Sequence, residues 1–250
     1  MAVTQYRYLF ADLLTNSILA ELPLTGVSFS QVLNSPGAFS GHLQVSDLRE
    51  NLFDYVNATI PSRTALYVDR NGVLIWGGIV FSRTYNSVQQ RIDITAREFD
   101  SYFERRRIAV SQAFNNVDQL TIAQTLVNNA QLATNGNIGL IVGTETSGIL
   151  VTRVYYSYEL KDLYSAIKDL ATQSQGFDFN VDVQYDANLN PIKLLRLDYP
   201  YRGVTYNSTS PTALVFEFPG NLVAYEYPED GSLTTNSMFG IGPGSNEGKL

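Results

Sequence analysis

The turn at residues 69–72 limits the fold more than any other short stretch of this chain. Asp69-Arg70-Asn71-Gly72 stands between two β-rich runs, Ala65–Val68 and Val73–Tyr85. Asn-Gly between such runs is a strong signal of a β-hairpin, because both residues tolerate the positive φ angles of a tight two-residue turn. The first hundred residues therefore contain at least one antiparallel strand pair.

Alternation of polar and apolar residues predicts further strands on both sides of this hairpin. These strands cover residues 3–10, 18–24, 27–33, 38–45 and 90–96. Residues 47–58 predict a short helix, with Asp47 as a candidate N-cap. Trp76 is followed by Gly77-Gly78, which would let the strand coil sharply or let another backbone approach. The pattern indicates a compact antiparallel β-domain over residues 1–110.

The middle of the chain changes to helical periodicity. Apolar residues at three-to-four spacing predict helices over 117–132 and 158–175, with Gly176 as a left-handed C-cap. The loop between them, Asn135–Gly148, is rich in Gly, Asn and Thr and is predicted to be exposed. Residues 111–176 therefore form a helix-containing α/β insert.

Strand alternation returns after the second helix. The predicted strands cover residues 177–185, 193–199, 214–218 and 222–227. They give a C-terminal β-domain over residues 177–250, whose Gly-rich end leaves open whether a further segment follows. The fold class is mainly β (α+β), with two antiparallel β-domains and a helix-containing insert between them.

Composition favours a component of an assembly. Charged residues make up 16% of the chain, against roughly 25% in soluble domains, and 16 Tyr residues supply side chains that suit protein interfaces. The net charge of −7 argues against nucleic-acid binding. Without Cys there is no disulfide frame and no thiol nucleophile, which fits folding in a reducing cytoplasm. We find no signal-peptide pattern and no membrane-spanning apolar run.

Few side chains are candidates for catalysis. The single histidine, His42, could join Ser40 and Asp47 in a triad, but all three would lie on one strand and its loop, so we interpret His42 as structural. Asp178 and Asp182 share the polar face of a strand about 13 Å apart, farther than glycoside hydrolysis uses. We predict no catalytic residue, no cofactor and no metal site.

The dense positive run Arg105-Arg106-Arg107 has two interpretations. It can contact an acidic neighbouring subunit or the inner surface of a tube, or it can be a solvated linker between domains. Together with Trp76, these three arginines are the candidate interface residues.

The segment Pro61–Val80, PSRTALYVDRNGVLIWGGIV, resembles a stretch of the minor tail proteins of long-tailed bacteriophages, especially those of actinobacteria. The shared pattern is Arg-Thr, a hydrophobic β-arm, a tight turn and a second arm ending in Trp-x-Gly-x-Ile/Val. The order of other segments also matches: Gly37–Gly41, Leu170–Phe179 (LATQSQGFDF) and the Gly- and Asn-rich Asn236–Gly244.

The resemblance implies a baseplate-hub fold, in which the two antiparallel β-domains are β-barrel-like and the helix-containing insert between them is α/β. It also implies a structural, non-enzymatic role in the virion of a siphovirus. The chain would form a homotrimeric hub ring at the tail tip, ending the tail tube. Its partners would be the distal tail protein, the tape measure and other tail-tip proteins, with no nucleic-acid binding and no membrane span. Two alternatives stay open: a distal tail protein, which forms a hexameric ring, and a glycan-binding or glycan-cleaving tail-tip protein.

Overall fold

The computed structural model describes residues 4–45, 52–203 and 215–232. The chain divides into two compact units, Met1–Arg202 and Gly203–Leu250. Strands dominate the first unit and are joined by short helices. The mainly β (α+β) class predicted from the sequence is confirmed.

Seven strands of the N-terminal half form one antiparallel sheet. They are β1 (Tyr6–Asp12), β2 (Ile18–Glu21), β3 (Thr25–Phe29), β4 (Ala38–Gln44), β5 (Thr64–Arg70), β6 (Val73–Asn86) and β7 (Arg91–Glu98), with helix α1 (Leu52–Ala58) between β4 and β5. Their order is β2-β1-β5-β6-β7-β4-β3.

This sheet is open. Within the described residues β2 pairs only with β1, and β3 pairs only with β4, so the two edges do not meet. The barrel-like shape predicted for the N-terminal region is therefore corrected to an open sheet, because both edge strands are short and neither pairs with the other.

The predicted Asn-Gly hairpin is confirmed as the connection between β5 and β6. Asn71 and Gly72 have φ angles of 54° and 84°, as the tight turn requires. The Gly72 N–H donates to Asp69 Oδ1 at 2.8 Å, which fixes the turn from within.

The remaining elements of the first unit combine helices with two small sheets. They are α2 (Ser101–Glu104), β8 (Gln112–Asp118), α3 (Gln119–Leu132), β9 (Leu140–Val142), β10 (Leu150–Tyr155), α4 (Leu163–Ala171), β11 (Asp178–Tyr185) and β12 (Pro191–Asp198). Strand β8 pairs with β10, and β11, β12 and β9 form a sheet in which β9 runs parallel to β12.

Both predicted helices of the middle region exist. Helix α3 begins after Asp118, whose Oδ1 accepts from Leu120 N at 2.9 Å. Helix α4 is shorter than predicted, because Leu160 has a φ of 45° and Asp162 caps the helix by accepting from Ser165 N at 2.8 Å. Gly176 was predicted as its left-handed cap, but the helix ends at Ala171 and Gly176 has no positive φ.

Several other predictions need correction. The stretch Leu222–Tyr227 was predicted as a strand and is irregular, as are residues 215–218. The loop Asn135–Gly148 is not exposed throughout: it contains β9, and Ile138 and Leu140 are buried. The candidate cap Asp47, Leu214 and the Gly-rich end lie outside the described residues.

Two apolar cores lie on opposite faces of the seven-stranded sheet, because alternate residues of each strand point to opposite sides. Phe10, Leu66 and Trp76 belong to one core. The other includes Tyr67 of the sheet together with residues of α3, α4, β11 and β12. All three predicted segments contribute to this second core, and the division at residues 110 and 176 stays a prediction.

Strand β11 packs on β6 at Gly77. A Cβ atom at Gly77 would lie 2.6 Å from Val183 Cγ1 and 2.9 Å from Phe99 Cε2, closer than packed carbon atoms can lie. At Gly78 it would lie 2.1 Å from the Arg97 carbonyl oxygen. The close approach of another segment, predicted from this glycine pair, is confirmed.

Candidate interface site

The three arginines lie on the segment that connects α2 to β8. The backbone of this segment is tied to the start of α4: Leu163 N donates to Arg106 O at 2.9 Å, and Ile108 N donates to Lys161 O at 3.0 Å. These bonds hold the arginine run against the surface of the first unit, so it is not a free linker.

Aromatic rings and carbonyl groups orient the three guanidinium groups. The Arg105 guanidinium lies 4.2 Å from the centre of the Phe81 ring, and that of Arg106 lies 4.7 Å from the centre of the Tyr102 ring. Arg107 Nη1 donates to the Glu104 carbonyl oxygen at 3.1 Å. Such contacts position a guanidinium but leave its positive charge uncompensated.

Within residues 4–45, 52–203 and 215–232, none of the three arginines forms a salt bridge. Glu104 and Asp162, acidic residues of the adjoining segments, have hydrogen-bond or ion-pair partners of their own, and the charge of Arg107 is one of the influences that lower the pKa of Asp162. The Glu104 carboxylate pairs with Arg97 at 2.6 Å, and the Asp162 carboxylate caps α4. The run therefore presents positive charge and free N–H donors to whatever lies outside it.

The arginines border a cavity of about 490 Å³. We call it the arginine groove and define it by Arg105–Val110, the C-terminal half of α3 with the following Ala133, and Leu163. Its apolar side chains include Val110 and Leu132, which are 71% and 84% exposed. A basic rim beside exposed apolar residues is suited to a partner surface that is both acidic and apolar.

Trp76, the other candidate interface residue, is fully buried and packs 5.3 Å from the Phe39 ring. Its indole N–H donates to the Ser30 carbonyl oxygen at 3.0 Å. The Trp76 side chain points from β6 into the core that also contains Phe10 and Leu66. It is therefore not on a surface that a partner could contact. The sequence pattern around Trp76 therefore reflects the packing of the sheet and not an interface.

His42 packs against the backbone of Gly26, since a Cβ atom there would lie 2.6 Å from the His42 Cε1 atom. This packing fits the structural interpretation of His42. Asp47, the third member of the conceivable triad, lies outside the described residues.

Asp178 and Asp182 are held by neighbouring side chains. Asp178 accepts from Asn34 Nδ2 and from Arg202 N at 2.8 and 2.7 Å. Asp182 pairs with Arg202 at 2.8 Å and with Arg196 at 3.4 Å. Both carboxylates thus serve contacts within the chain.

Asn34 joins the loop between β3 and β4 to β11, a contact that sequence reasoning missed. Its Oδ1 accepts from Phe179 N at 2.6 Å, and its backbone N–H donates to Phe179 O at 3.2 Å. The Tyr164 hydroxyl donates to the Asn34 carbonyl oxygen at 3.0 Å. The Asn34-Ser35-Pro36-Gly37 turn signal was visible in the sequence, but the partner strand was not.

Three buried ionisable groups were also missed. Lys193 donates to the carbonyl oxygens of Leu13 and Ile138 at 3.2 and 2.6 Å, and burial lowers its pKa to about 8. Burial likewise raises the pKa of Glu98 and that of Asp100 above the ordinary carboxyl range. Lys193 lies two residues before the buried Leu195 in β12, so both side chains point to the same face of the strand. Strand alternation could therefore have indicated that Lys193 faces the core.

Among the described residues no helix is long and apolar enough to cross a membrane. In the same part of the chain, no group of three or more His, Asp or Glu side chains is placed to hold a metal ion.

No protein-family model and no curated protein matches the sequence. Among solved structures, the chain is similar to the 43 kDa tail protein of prophage MuSo2 from Shewanella oneidensis, with 16% identity and a TM-score of 0.45 over 76% of this chain and 54% of that one. It is also similar to a tail protein from Neisseria meningitidis MC58, with 10% identity and a TM-score of 0.41 over 76% and 45% of the two chains. It is similar as well to prophage tail protein gp18 from Listeria monocytogenes EGD-e, with 12% identity and a TM-score of 0.40 over 76% of this chain and 50% of that one. The chain spans about half the length of these structures.

Proposed function

We propose that this chain is a structural component of a phage tail, and more specifically one copy of a homotrimeric hub ring at the tail tip of a siphovirus. The hub would terminate the tail tube and bind the distal tail protein, the tape measure and receptor-binding tip proteins. The chain would be made in the host cytoplasm and reside in the virion. The resemblance of Pro61–Val80 to minor tail proteins supports the assignment to a tail.

The arginine groove is the observation that carries the assembly role. A chain with a net charge of −7 has many carboxylates, yet the three adjacent arginines form no salt bridge within the described residues. Their guanidinium groups are oriented by rings and carbonyls and border exposed apolar side chains. These features fit a surface that is completed by another subunit.

Engagement of the carboxylates supports a structural role over an enzymatic one. The predicted polar pair, Asp178 and Asp182, accepts hydrogen bonds and ion pairs from Asn34, Arg196 and Arg202. A catalytic acid and base need to face a substrate with suitable spacing. Here the carboxylates hold neighbouring segments together.

Electron microscopy of the purified oligomer, viewed along its symmetry axis, tests the proposal. We expect a ring with three-fold symmetry. A ring with six-fold symmetry would instead support the alternative that the chain is a distal tail protein. Only single copies, both in the purified sample and in isolated tail tips, would contradict the assembly role.

A further inference from the structure

We propose that the arginine groove of one copy binds the segment 215–232 of a second copy. This inference rests on the proposed function, because it requires that the chain assembles with itself. Beyond that function, it identifies the two surfaces through which neighbouring copies would contact each other.

The segment 215–232 carries negative charge without any positive charge. It contains Glu217, Glu226, Glu229 and Asp230, and it has no Lys or Arg. The arginine groove carries three arginines that form no salt bridge within the described residues. Each surface thus offers the charge that the other needs.

The same segment exposes apolar and aromatic side chains. The residues concerned are Phe216 (69% exposed), Phe218 (58%), Val223 (94%), Tyr225 (65%) and Tyr227 (79%). So many apolar side chains so close together in sequence mark a contact surface. Aromatic side chains and arginine are the residue types enriched where interfaces gain most of their free energy.

Local hydrogen bonds give this segment a defined turn. Glu217 N donates to Asn221 Oδ1 at 2.8 Å, and Leu222 N donates to the Glu217 carbonyl oxygen at 3.1 Å. The Phe218 and Tyr225 rings meet edge to face, 5.4 Å apart. A turn that is already formed loses less conformational entropy when it binds.

The geometry of such a contact favours a ring. The arginine groove and the segment 215–232 are different surfaces, so each copy would use one of them toward each of its two neighbours. A head-to-tail contact of this kind closes into a ring when the rotation between copies permits. The proposed contact can therefore build a cyclic trimer from copies of this chain alone.

Site-directed cross-linking between copies tests the inference, and the absence of native cysteine makes it selective. One full-length variant carries Val110→Cys in the groove, and another carries Val223→Cys in the segment. After the two are mixed and mildly oxidised, we expect a disulfide-linked dimer containing one copy of each. The matched control replaces the first variant with Val88→Cys, which is 92% exposed in the turn between β6 and β7.

Charge exchange sharpens the test. Adding Arg105→Glu to the Val110→Cys chain should lower the dimer yield about tenfold, because like charges then face each other. Adding Glu226→Arg to the Val223→Cys chain should restore the yield. Thermal melts followed by circular dichroism establish that each variant is folded.

Light scattering on the wild-type chain distinguishes failure of this inference from failure of the proposed hub function. An oligomer whose Val110–Val223 dimer yield does not exceed that of the Val88 control would overturn this inference and leave the hub proposal standing. Monomer alone, in solution and in isolated tail tips, would overturn both. A cross-link yield that does not fall with Arg105→Glu would also contradict the charge complementarity on which the inference rests.

Discussion

Where β11 joins the seven-stranded sheet, charged side chains pair with charged or hydrogen-bonding partners on distant segments, whereas the three arginines of the arginine groove form no salt bridge within the described residues. We call the first region the β11 junction and define it by β11 with Gly77, Asn34 and Arg202. There Asn34 bonds to both Asp178 and Phe179, and Arg202 pairs with Asp182. The three guanidinium groups of the groove contact aromatic rings and backbone carbonyl oxygens.

The difference separates two uses of polar side chains. At the β11 junction they fix one segment of the chain on another, so removing them should lower the free energy of unfolding. In the arginine groove they are positioned but uncompensated, so removing them should leave folding intact and affect association. The predictions below test this separation, beginning with the largest expected effect on stability.

Gly77→Val should break the β11 junction. The new side chain would overlap Val183 and Phe99, and we expect a loss of about 3 kcal/mol in the free energy of unfolding, as for overpacked cores. Urea denaturation followed by circular dichroism measures it. Val88→Ala, at an exposed turn, is the control and should change stability by no more than about 0.5 kcal/mol. Equal stability of the two variants would show that β11 does not pack on Gly77.

Asn34→Ala should also weaken the junction, by about 2 kcal/mol, because it removes the side-chain acceptor of the buried Phe179 N–H and one of the two hydrogen bonds that Asp178 accepts. Asn34 has a φ of 60°, a conformation that Ala tolerates poorly. Asn34→Gly restores the backbone freedom but not the side-chain bonds. Its stability should lie between those of the wild type and Asn34→Ala; full recovery in the glycine variant would assign the effect to the backbone alone.

Lys193 sharpens the comparison because it is a buried positive charge that donates to two carbonyl oxygens and forms no salt bridge with any residue that the structure describes. Its folded-state pKa of about 8 lies below the ordinary value of 10.5. A base whose pKa is lowered by folding binds fewer protons in the folded state, so stability is lowest below pH 8 and rises as the pH increases toward 10.5. Between pH 7.5 and 9.5 this gain should be about 2 kcal/mol.

The gain is measured as the difference between wild type and Lys193→Met in denaturation series at each pH. Other titrating groups, including the buried tyrosines, are common to both chains and cancel in that difference. A difference that stays constant from pH 7.5 to 9.5 would mean that the Lys193 pKa is not lowered.

The smallest expected effect on stability belongs to the arginine groove. Arg107→Ala removes an exposed side chain that donates a hydrogen bond to the Glu104 carbonyl oxygen. We expect a change of no more than about 0.5 kcal/mol by the same denaturation assay. A loss comparable to that of Asn34→Ala would show that the groove contributes to folding and would erase the contrast between the two regions.

Local chemistry allowed the most accurate predictions from the sequence. The Asn71-Gly72 turn and the start of α3 at Asp118 depend on residues that lie next to each other in the chain, and Gly77 marks a close approach although its neighbours there, Val183 and Phe99, are distant in sequence. Each carries its own physical requirement: a positive φ, absence of Cβ or a capping carboxylate. These requirements are visible without the rest of the fold.

Features that depend on distant segments were not predictable in this way. Strand β8 was missed because Asn116, with a φ of 55°, interrupts its alternation. The arginine run is evident in the sequence, but several apolar residues of its groove come from α3 and α4, so the groove exists only once those helices are packed. Trp76 is a candidate interface residue by sequence because an aromatic side chain suits an interface as well as a core.

The measurement that tests this account most directly is the mass in solution of the wild type and of Arg105→Glu/Arg107→Glu, determined by light scattering beside their thermal melts. For the wild type we predict a species of three times the chain mass of 27.8 kDa. For the double variant we predict a monomer that melts within a few degrees of the wild type. A double variant that remains oligomeric, or that loses its fold, would contradict the claim that the arginine groove serves assembly and not folding.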